Sequence, residues 1–368
     1  MDAPDKLFHL YSLPSFDDNQ KREDVYGRQI QSNKSIVPDK CILFNKLNVR
    51  FQRIWIIDND DKDKICSTEF LPLIVNESKV DFYYCFFLLH SPGITNYLTG
   101  QNTNTSGSHK RIDPDDFLSI EVQLPSIPEQ KRIGKLLYDI EQKITVNRQI
   151  NDYLEAIARQ LYDYWFVQFD FPDENGKPYK SSGGKMVWNN KLKREIPEQW
   201  ESAILQDYLT IKNGKDHKTL KEGVFPVSGS GGLMRHVDSY LHEGESVLFP
   251  RKGSLNHIMY VNEAFWTVDT MFYTELKIPY AAKFIFYSVN GIDFTGLDSG
   301  TGVPSMTSTT LYSIKVIKPT IDLLHSFDEK IRPLFHAIES NRRAIEESLK
   351  LRNELLPLLM NGQVFLSC

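Results

Sequence analysis

The sequence predicts an α+β fold: two strand-rich domains separated by two long antiparallel, coiled-coil-like helices, one unit used twice with pseudo-twofold symmetry. Three observations predict it. Two segments carry long helical stripes, one offset superimposes them, and short β-branched and aromatic runs precede each.

The first stripe runs over 129–165, with Ile133, Leu137, Ile140, Ile144, Ile150, Leu154, Ile157 and Leu161 at steps mostly of three and four. That spacing places them on one helical face. Pro128 and Glu129 give a start signal, and the rod would be about 55 Å long. The second stripe, over 323–360, carries Leu324, Phe327, Ile331, Leu334, Ile338, Ile345, Leu355 and Leu359. Pro333 predicts a kink or a late start there, and Pro357 leaves the far end open. Such a stripe can pack on its own domain. Asn147 and Asn341, at matching stripe positions, favour a helix pair instead, because a buried Asn pair fixes register.

A shift of 194 residues carries Ile133 onto Phe327, Leu137 onto Ile331, Ile140 onto Leu334 and Asn147-Arg148 onto Asn341-Arg342. The same shift lays FLSIEVQLP (117–125) over LYSIKVIKP (311–319). Further upstream CILFNK (41–46) resembles SVLFPRK (246–252) at a shift of 205, so loop lengths differ between the copies. Agreement of a helix stripe and a strand at one offset reads as tandem duplication. Runs such as RIWIID (53–58), HIMYV (257–261) and AFWTV (264–268), punctuated by Gly, Pro and Asn, read as strands. The expected division is 1–125, first strand-rich domain; 126–168, first helix; 169–199, linker loop; 200–320, second domain; 321–368, second helix. The linker is assigned from DFPDENGKPYKSSGGKMVWNN (170–190), crowded with turn residues.

Composition sets bounds. The 368 residues, 41% hydrophobic and 25% charged, suit a folded chain of two or three domains. The longest apolar runs fall well short of the roughly 18 residues of a membrane span. The start MDAPDKLFHL lacks a basic region followed by a long apolar one. Four cysteines without a CxxC pair fit a reducing cytoplasm better than a disulfide or zinc framework. The net charge of −5 is spread evenly, so a phosphate-binding surface has to arise from local segregation of charge.

Catalytic motifs fail one by one. The chain has no GxxxxGK[ST] loop, HExxH, GxSxG or (N/D)PP(Y/F) tetrapeptide, and its nine histidines form no ligand cluster. Pro114-Asp115 with Glu141-Gln142-Lys143 matches the letters of a metal-dependent nuclease, but Glu141 and Lys143 fall mid-helix. Glu275-Leu276-Lys277 lacks an upstream Pro-Asp. The chain reads as non-enzymatic, with no metal or cofactor of its own.

Polar loop clusters recur in both copies instead. The first has NKLNVRFQR (45–53) and NTSGSHKR (104–111); the second has SGSGG (228–232), PRKGSLNH (250–257), TVDT (267–270) and SGTGVPS (299–305). Each alone reads as a hairpin turn. Repetition in a duplicated frame points to binding: Arg and Lys reach phosphates or guanine edges, Ser, Thr and Asn read bases, and Gly admits close approach. The candidate DNA contacts are Lys46, Asn48, Arg50, Arg53, Ser108, His109, Lys110, Ser228, Ser230, Arg251, Lys252, Ser254, Thr301 and Ser305. Two domains held apart by helices suit duplex DNA read at two separated half-sites.

The central segment LYDYWFVQFDFPDENGKPYKSSGGKMVWNNKLKREIPEQW (161–200) resembles the middle of type I restriction–modification specificity (S) subunits. PVSGSGGLM (226–234), SVLFPRKGSLNHIMYV (246–261), FWTVDTMF (265–272) and SGTGVPS (299–305) resemble their target-recognition domain, and LLPLLMNGQV (355–364) their usual end. The likeness covers nearly the whole chain. It implies two target-recognition domains, each reading half of a bipartite, asymmetric site in double-stranded DNA, and helices that dock two modification (M) subunits. It also implies S-adenosylmethionine in the M subunits, and ATP and Mg in the restriction (R) subunits. For M docking the exposed helix faces and 161–195 are the candidates.

One departure stands out. WESAILQDYLTIKNG (200–214) opens the second recognition domain, and the first copy has no counterpart. Aligning YSLPSFD (11–17) with VSGSGGL (227–233) puts residue 1 near the equivalent of 217, a short or truncated start. Two rival readings are a coiled-coil adaptor for protein partners and a self-contained DNA-cleaving enzyme. Salt-dependent duplex binding separates the first, and magnesium-dependent cleavage by the chain alone the second.

Overall fold

The computed structural model describes residues 3–18, 20–100, 111–297 and 304–364. The chain forms two compact units, 1–149 with 341–368, and 150–340. Each contains one strand-rich domain and a stretch of both long helices, Ile127–Tyr162 and Ile321–Met360.

The second unit is built on a six-stranded sheet ordered Leu209–Asn213, Met271–Leu276, His242–Pro250, Met259–Thr267, Phe225–Gly229, Gly232–Val237. Side chains alternate across a strand. Val247 and Phe249 accordingly enter a large cluster with Trp165, Phe166, Trp200, Phe284 and Phe327, while Leu248 enters a second with Val227, Val237 and Phe265. The first long helix widens by one residue per turn at Asp163–Val167, so that both Trp165 and Phe166 are buried. Lys283, on the helix Ala281–Val289, is buried and charge-paired with Glu245 and with Asp328 at 2.7 Å. Tyr260 donates to Glu245 at 2.6 Å, and Arg332 also pairs with Asp328. This cluster ties sheet, short helix and long helix together; a buried cation needs such partners.

The first unit repeats the plan in smaller pieces. One sheet orders Glu23–Tyr26, Leu7–Tyr11, Lys64–Ser67 and Lys34–Ile36; the other orders Ile54–Asp58, Lys40–Asn45 and Phe70–Leu73. Ile42 and Phe44 face the helix-side core with Phe82, Phe87, Ile133, Leu137 and Leu359, while Cys41 and Leu43 face a second cluster with Tyr11, Trp55 and Phe70. Gly134 lies where a Cβ would meet the Tyr84 backbone nitrogen at 2.6 Å, so a glycine inside this helix permits close approach to the helix Phe82–Leu89. Gln130, buried beside it, accepts from the Asp81 amide at 2.9 Å and donates to the Pro125 carbonyl at 2.8 Å.

The duplication is visible bond by bond. Ile112 donates its amide to the Lys46 carbonyl at 3.0 Å, and Met306 donates to the Arg251 carbonyl at 2.9 Å. Asp113 caps the short helix Pro114–Leu118 as Thr307 caps Ser308–Tyr312. Ser119 Oγ donates to the Asp116 carbonyl at 2.7 Å, and Ser313 Oγ to that of Thr310 at 2.8 Å. A single parallel pairing recurs in otherwise antiparallel sheets, Leu7–Tyr11 with Lys64–Ser67 and Phe225–Gly229 with Met259–Thr267.

The structure sharpens three expectations. The second helix has no late start: it runs from Ile321 through Pro333 and Pro357 to Met360, and the Thr320 carbonyl accepts from Leu324 at 3.1 Å in its first turn. Of the loop or hairpin open for the linker 169–199, the structure shows a hairpin: Met186–Asn189 pairs with Arg194–Pro197, and Phe169 and Phe171 pack on Trp200. Asn147 and Asn341 are half-buried, and a further asparagine on the stripe, Asn151, is buried and donates to the Ile338 carbonyl at 3.3 Å.

Candidate nucleic-acid interface

In the second unit four loops converge. The strand His242–Pro250 ends in Arg251 and Lys252, whose amides both donate to the Thr270 carbonyl, at 2.8 and 3.2 Å. Gly253, at φ +91°, turns the chain where a Cβ would stand 3.0 Å from Ser230 Oγ, and its amide donates to the Pro304 carbonyl at 3.2 Å. Lys252 and Ser305 bridge as antiparallel partners. His257 Nδ1 donates to the Ser230 carbonyl at 2.8 Å, fixing that ring to the neighbouring hairpin. The far end of the loop is held by Asn256, which donates to Asp293 at 3.2 Å and accepts from the Phe294 amide at 2.8 Å. Hydrogen bonds from Thr295 and Asn256 hold the Asp293 carboxyl below its usual range.

The structure therefore brings Ser230, Arg251, Lys252, Ser254 and Ser305 together. Arg251 and Lys252 are exposed and have no ion-pair partner among the described residues; the Arg251 guanidinium lies 5.9 Å from the Phe272 ring centre. Ser228 is corrected: it is 8% exposed, and its carbonyl accepts from Thr267 Oγ1 and the Val268 amide, both at 3.1 Å. It belongs to the sheet and supports the site from beneath. Thr301 lies outside the described residues.

In the first unit the equivalent loop follows Lys40–Asn45. Buried Asn45 shapes it, donating to the Leu47 carbonyl at 2.5 Å and accepting from the Leu47 amide at 2.9 Å. Asn48, at φ 53°, takes the left-handed turn that Asn tolerates. Its carbonyl accepts from Phe51 at 3.0 Å, and Arg50 projects from this turn, exposed and without an ion-pair partner among the described residues. The Lys46 amide donates to the Glu69 carbonyl at 2.8 Å, the counterpart of Arg251 and Thr270. Arg53 is corrected: its guanidinium grips Asp17 at 2.7 and 2.8 Å, and the Asp17 carboxyl is lowered chiefly by that hydrogen bond. Ser108, His109 and Lys110 lie outside the described residues. Arg111, just beyond them, pairs with Glu69 at 2.7 Å.

Asn45, Thr270, Asn256 and His257 fall inside the polar clusters read from the sequence but were not singled out: Thr270 acts through its carbonyl, and the side chains of Asn45, Asn256 and, through Nδ1, His257 shape the loops from within. The nuclease-like letters dissolve: Glu141 is paired with Arg352 at 2.7 Å, and Glu275 with Lys212 at 3.4 Å. Among the described residues no group of three or more His, Cys, Asp or Glu is placed to hold a metal, and no helix is long and apolar enough to cross a membrane.

Each of the two sheet domains thus presents an equivalent loop with exposed cations, Arg50 in one and Arg251 and Lys252 in the other. The family model for the type I restriction modification DNA specificity domain matches twice, over residues 12–156 and 197–351, and the chain belongs to that family. Its curated relatives include the type I restriction enzyme MjaIX specificity subunit of Methanocaldococcus jannaschii, 22% identical over 327 residues, 79% of this chain and 71% of the relative. They also include the HindI specificity subunit of Haemophilus influenzae, 22% identical over 411 residues, covering 90% of this chain and 88% of that one. In fold the chain resembles the crystal structure of the type I restriction-modification system S subunit from M. genitalium. The TM-score is 0.60 at 15% identity, over 99% of this chain and 90% of that one.

Proposed function

We propose that this chain is the DNA sequence-specificity subunit of a type I restriction–modification complex, each unit reading one half of a bipartite, asymmetric site. The observation that carries the reading is the repeated loop frame: Lys46, Asn48 and Arg50 in one copy, Arg251, Lys252 and Ser254 in the other, hung from equivalent backbone hydrogen bonds. The exposed side chains of Arg50, Arg251 and Lys252, without ion-pair partners among the described residues, supply phosphate contacts and guanine readout, with Lys46 beside Glu69 as a weaker contributor. The even net charge of −5 gives little bulk attraction, so the isolated chain binds duplex DNA weakly and partner subunits add the rest.

In this reading the long helices act as the spacer between half-sites, with pseudo-twofold symmetry. The chain is not an enzyme and holds no cofactor; two modification subunits bring S-adenosylmethionine, and restriction subunits bring ATP and magnesium. The aromatic residues of 161–195 are mostly spent on packing, since Trp165, Phe166, Phe169 and Phe171 are buried. That narrows docking there to the tip of the hairpin Met186–Pro197, where Trp188 is 60% exposed beside exposed Lys191 and Lys193. The test is methylation mapping in a host with and without the chain, repeated with Arg251→Ala and Arg50→Ala. The reading expects a bipartite methylated motif whose two halves respond separately to the two substitutions. A motif unchanged by both sinks it.

A further inference from the structure

The loop 251–257 of the second unit offers several polar side chains, and they differ in what they can tell apart. Arg251 and Lys252 are exposed and carry donors only. The Ser254 hydroxyl rotates, and so both donates and accepts. Asn256 spends both ends of its amide inside the unit, on Asp293 and on the Phe294 amide. His257 stands apart from all of these. Its ring is exposed, Nδ1 is bonded to the Ser230 carbonyl at 2.8 Å, and Nε2 has no partner among the described residues.

A carbonyl can only accept, so this bond places the ring proton on Nδ1. In the neutral ring Nε2 is then an acceptor, and its sign is fixed by Ser230. The ring is also held in place. A Cβ on Gly232 would lie 3.7 Å from His257 Cε1, so the ring stands against the hairpin turn that carries Ser230. The His257 amide closes the loop on the Ser254 carbonyl at 3.0 Å. An acceptor oriented before its ligand arrives avoids part of the ordering cost of binding. At the offset of 205 the first copy has Gln52, whose amide donates to the His90 carbonyl at 3.1 Å and to the Thr95 hydroxyl at 2.5 Å. That side chain is used inside its own unit, so the device is not repeated at the corresponding loop position.

We infer that His257 is a specificity-determining residue of the second unit, its Nε2 accepting from the exocyclic amino group of one base, adenine N6 or cytosine N4, in the major groove. That groove admits a two-stranded ribbon, and the anchoring Ser230 sits at the tip of one, between Phe225–Gly229 and Gly232–Val237. Arg251 and Lys252 offer donors to phosphates and to acceptor edges, and the ring adds the opposite sign. A base that turns O4, O6 or N7 towards Nε2 sets acceptor against acceptor and leaves both unpaired. The inference rests on the DNA reading proposed above and adds to it one residue and the chemical group it selects.

An asparagine keeps an N–H near the Nδ1 position and has nothing at Nε2, so His257→Asn retains the Ser230 bond and removes the reader. Methylation mapping with this variant should relax one position, in the half of the motif that responds to Arg251→Ala. Duplexes are then made with the amino group of that base pair replaced by hydrogen, and others with the purine N7 replaced by carbon. Anisotropy titrations use the full chain at about pH 8, above the ordinary imidazole range. Loss of the amino group should weaken the native chain about fivefold more than His257→Asn, the worth of one hydrogen bond. Loss of N7 should cost the two proteins the same, and their melting curves should coincide. A scan of the amino-to-hydrogen change along that half-site with the native chain needs no variant, and it must find one position with that loss. No relaxed position, equal penalties for the amino group, an N7 penalty confined to the native chain, or an empty scan overturns the inference and leaves the DNA reading standing. A native chain that distinguishes no duplex by sequence overturns both.

Discussion

The Met306 amide and the Arg251 carbonyl are joined at 2.9 Å, so the residue that leads the candidate DNA loop is held by its own peptide group while its exposed side chain has no ion-pair partner among the described residues. Arg251→Ala should then leave the fold intact and weaken duplex binding by about tenfold, with the salt slope reduced by about one. Anisotropy titrations of the full chain at several salt concentrations check both quantities. A loss of affinity without a change in slope would point to base contact alone.

Arg53 behaves differently because its charge is spent on Asp17. Arg53→Gln should change DNA affinity little and alter acid stability instead. The Asp17 and Glu69 carboxyls are both lowered, by hydrogen bonds from Arg53 and Arg111. A depressed carboxylate pKa contributes stability that is full above the unfolded value, near about 4, and is lost as pH falls through the folded value. Urea midpoints measured from about pH 6 down to about pH 2.5 should fall for the native chain. The fall should be shallower for Arg53→Gln.

Lys283 is buried between Glu245 and Asp328, and removal of its charge leaves two carboxylates without their cation. Lys283→Met should destabilise the second unit by about 3–5 kcal/mol. Chemical denaturation followed through the buried Trp165 and Trp200 measures it. A cost below about 1 kcal/mol, the usual worth of a surface pair, would show that the cluster is solvated.

Gly134→Ala tests close packing against helix propensity. Alanine favours a helix by roughly 1 kcal/mol over glycine, but its Cβ would lie 2.6 Å from the Tyr84 nitrogen and 2.7 Å from Asp81 Oδ1. Contact should win, with a net loss of about 1–3 kcal/mol in the first unit. A rise in melting temperature is the contrary result.

Cys41 and Cys66 are buried, and burial pushes both thiols up to about 12. The thiolate is the reactive form. Both should resist alkylation at mildly alkaline pH in the folded chain and react once urea is added, as mass spectrometry would read directly.

Much of this was legible in the sequence, and the pattern of misses has a physical order. Two offsets, 194 and 205, were readable because they follow backbone positions, and the paired bonds of Lys46 with Ile112 and Arg251 with Met306 recur at those offsets. The exposed cations Arg50, Arg251 and Lys252 stood out because turn chemistry surrounds them. Arg53 was misjudged because Asp17 is remote in sequence. Asn151 was passed over because periodicity marks a stripe but not which position on it meets a facing carbonyl. Pro333 left a late start open for a helix that tertiary packing of Phe327, Ile331 and Leu334 holds from Ile321 onward.

The anchors that recur in both loops join peptide groups, Ile112 to Lys46 and Met306 to Arg251, which every residue other than proline supplies in full. The exposed side chains of Arg50, Arg251 and Lys252 can thus be exchanged by mutation without disturbing those anchors. A lineage carrying this fold can change the sequence it attends to while inheriting the same scaffold, and the two halves can diverge at independent rates.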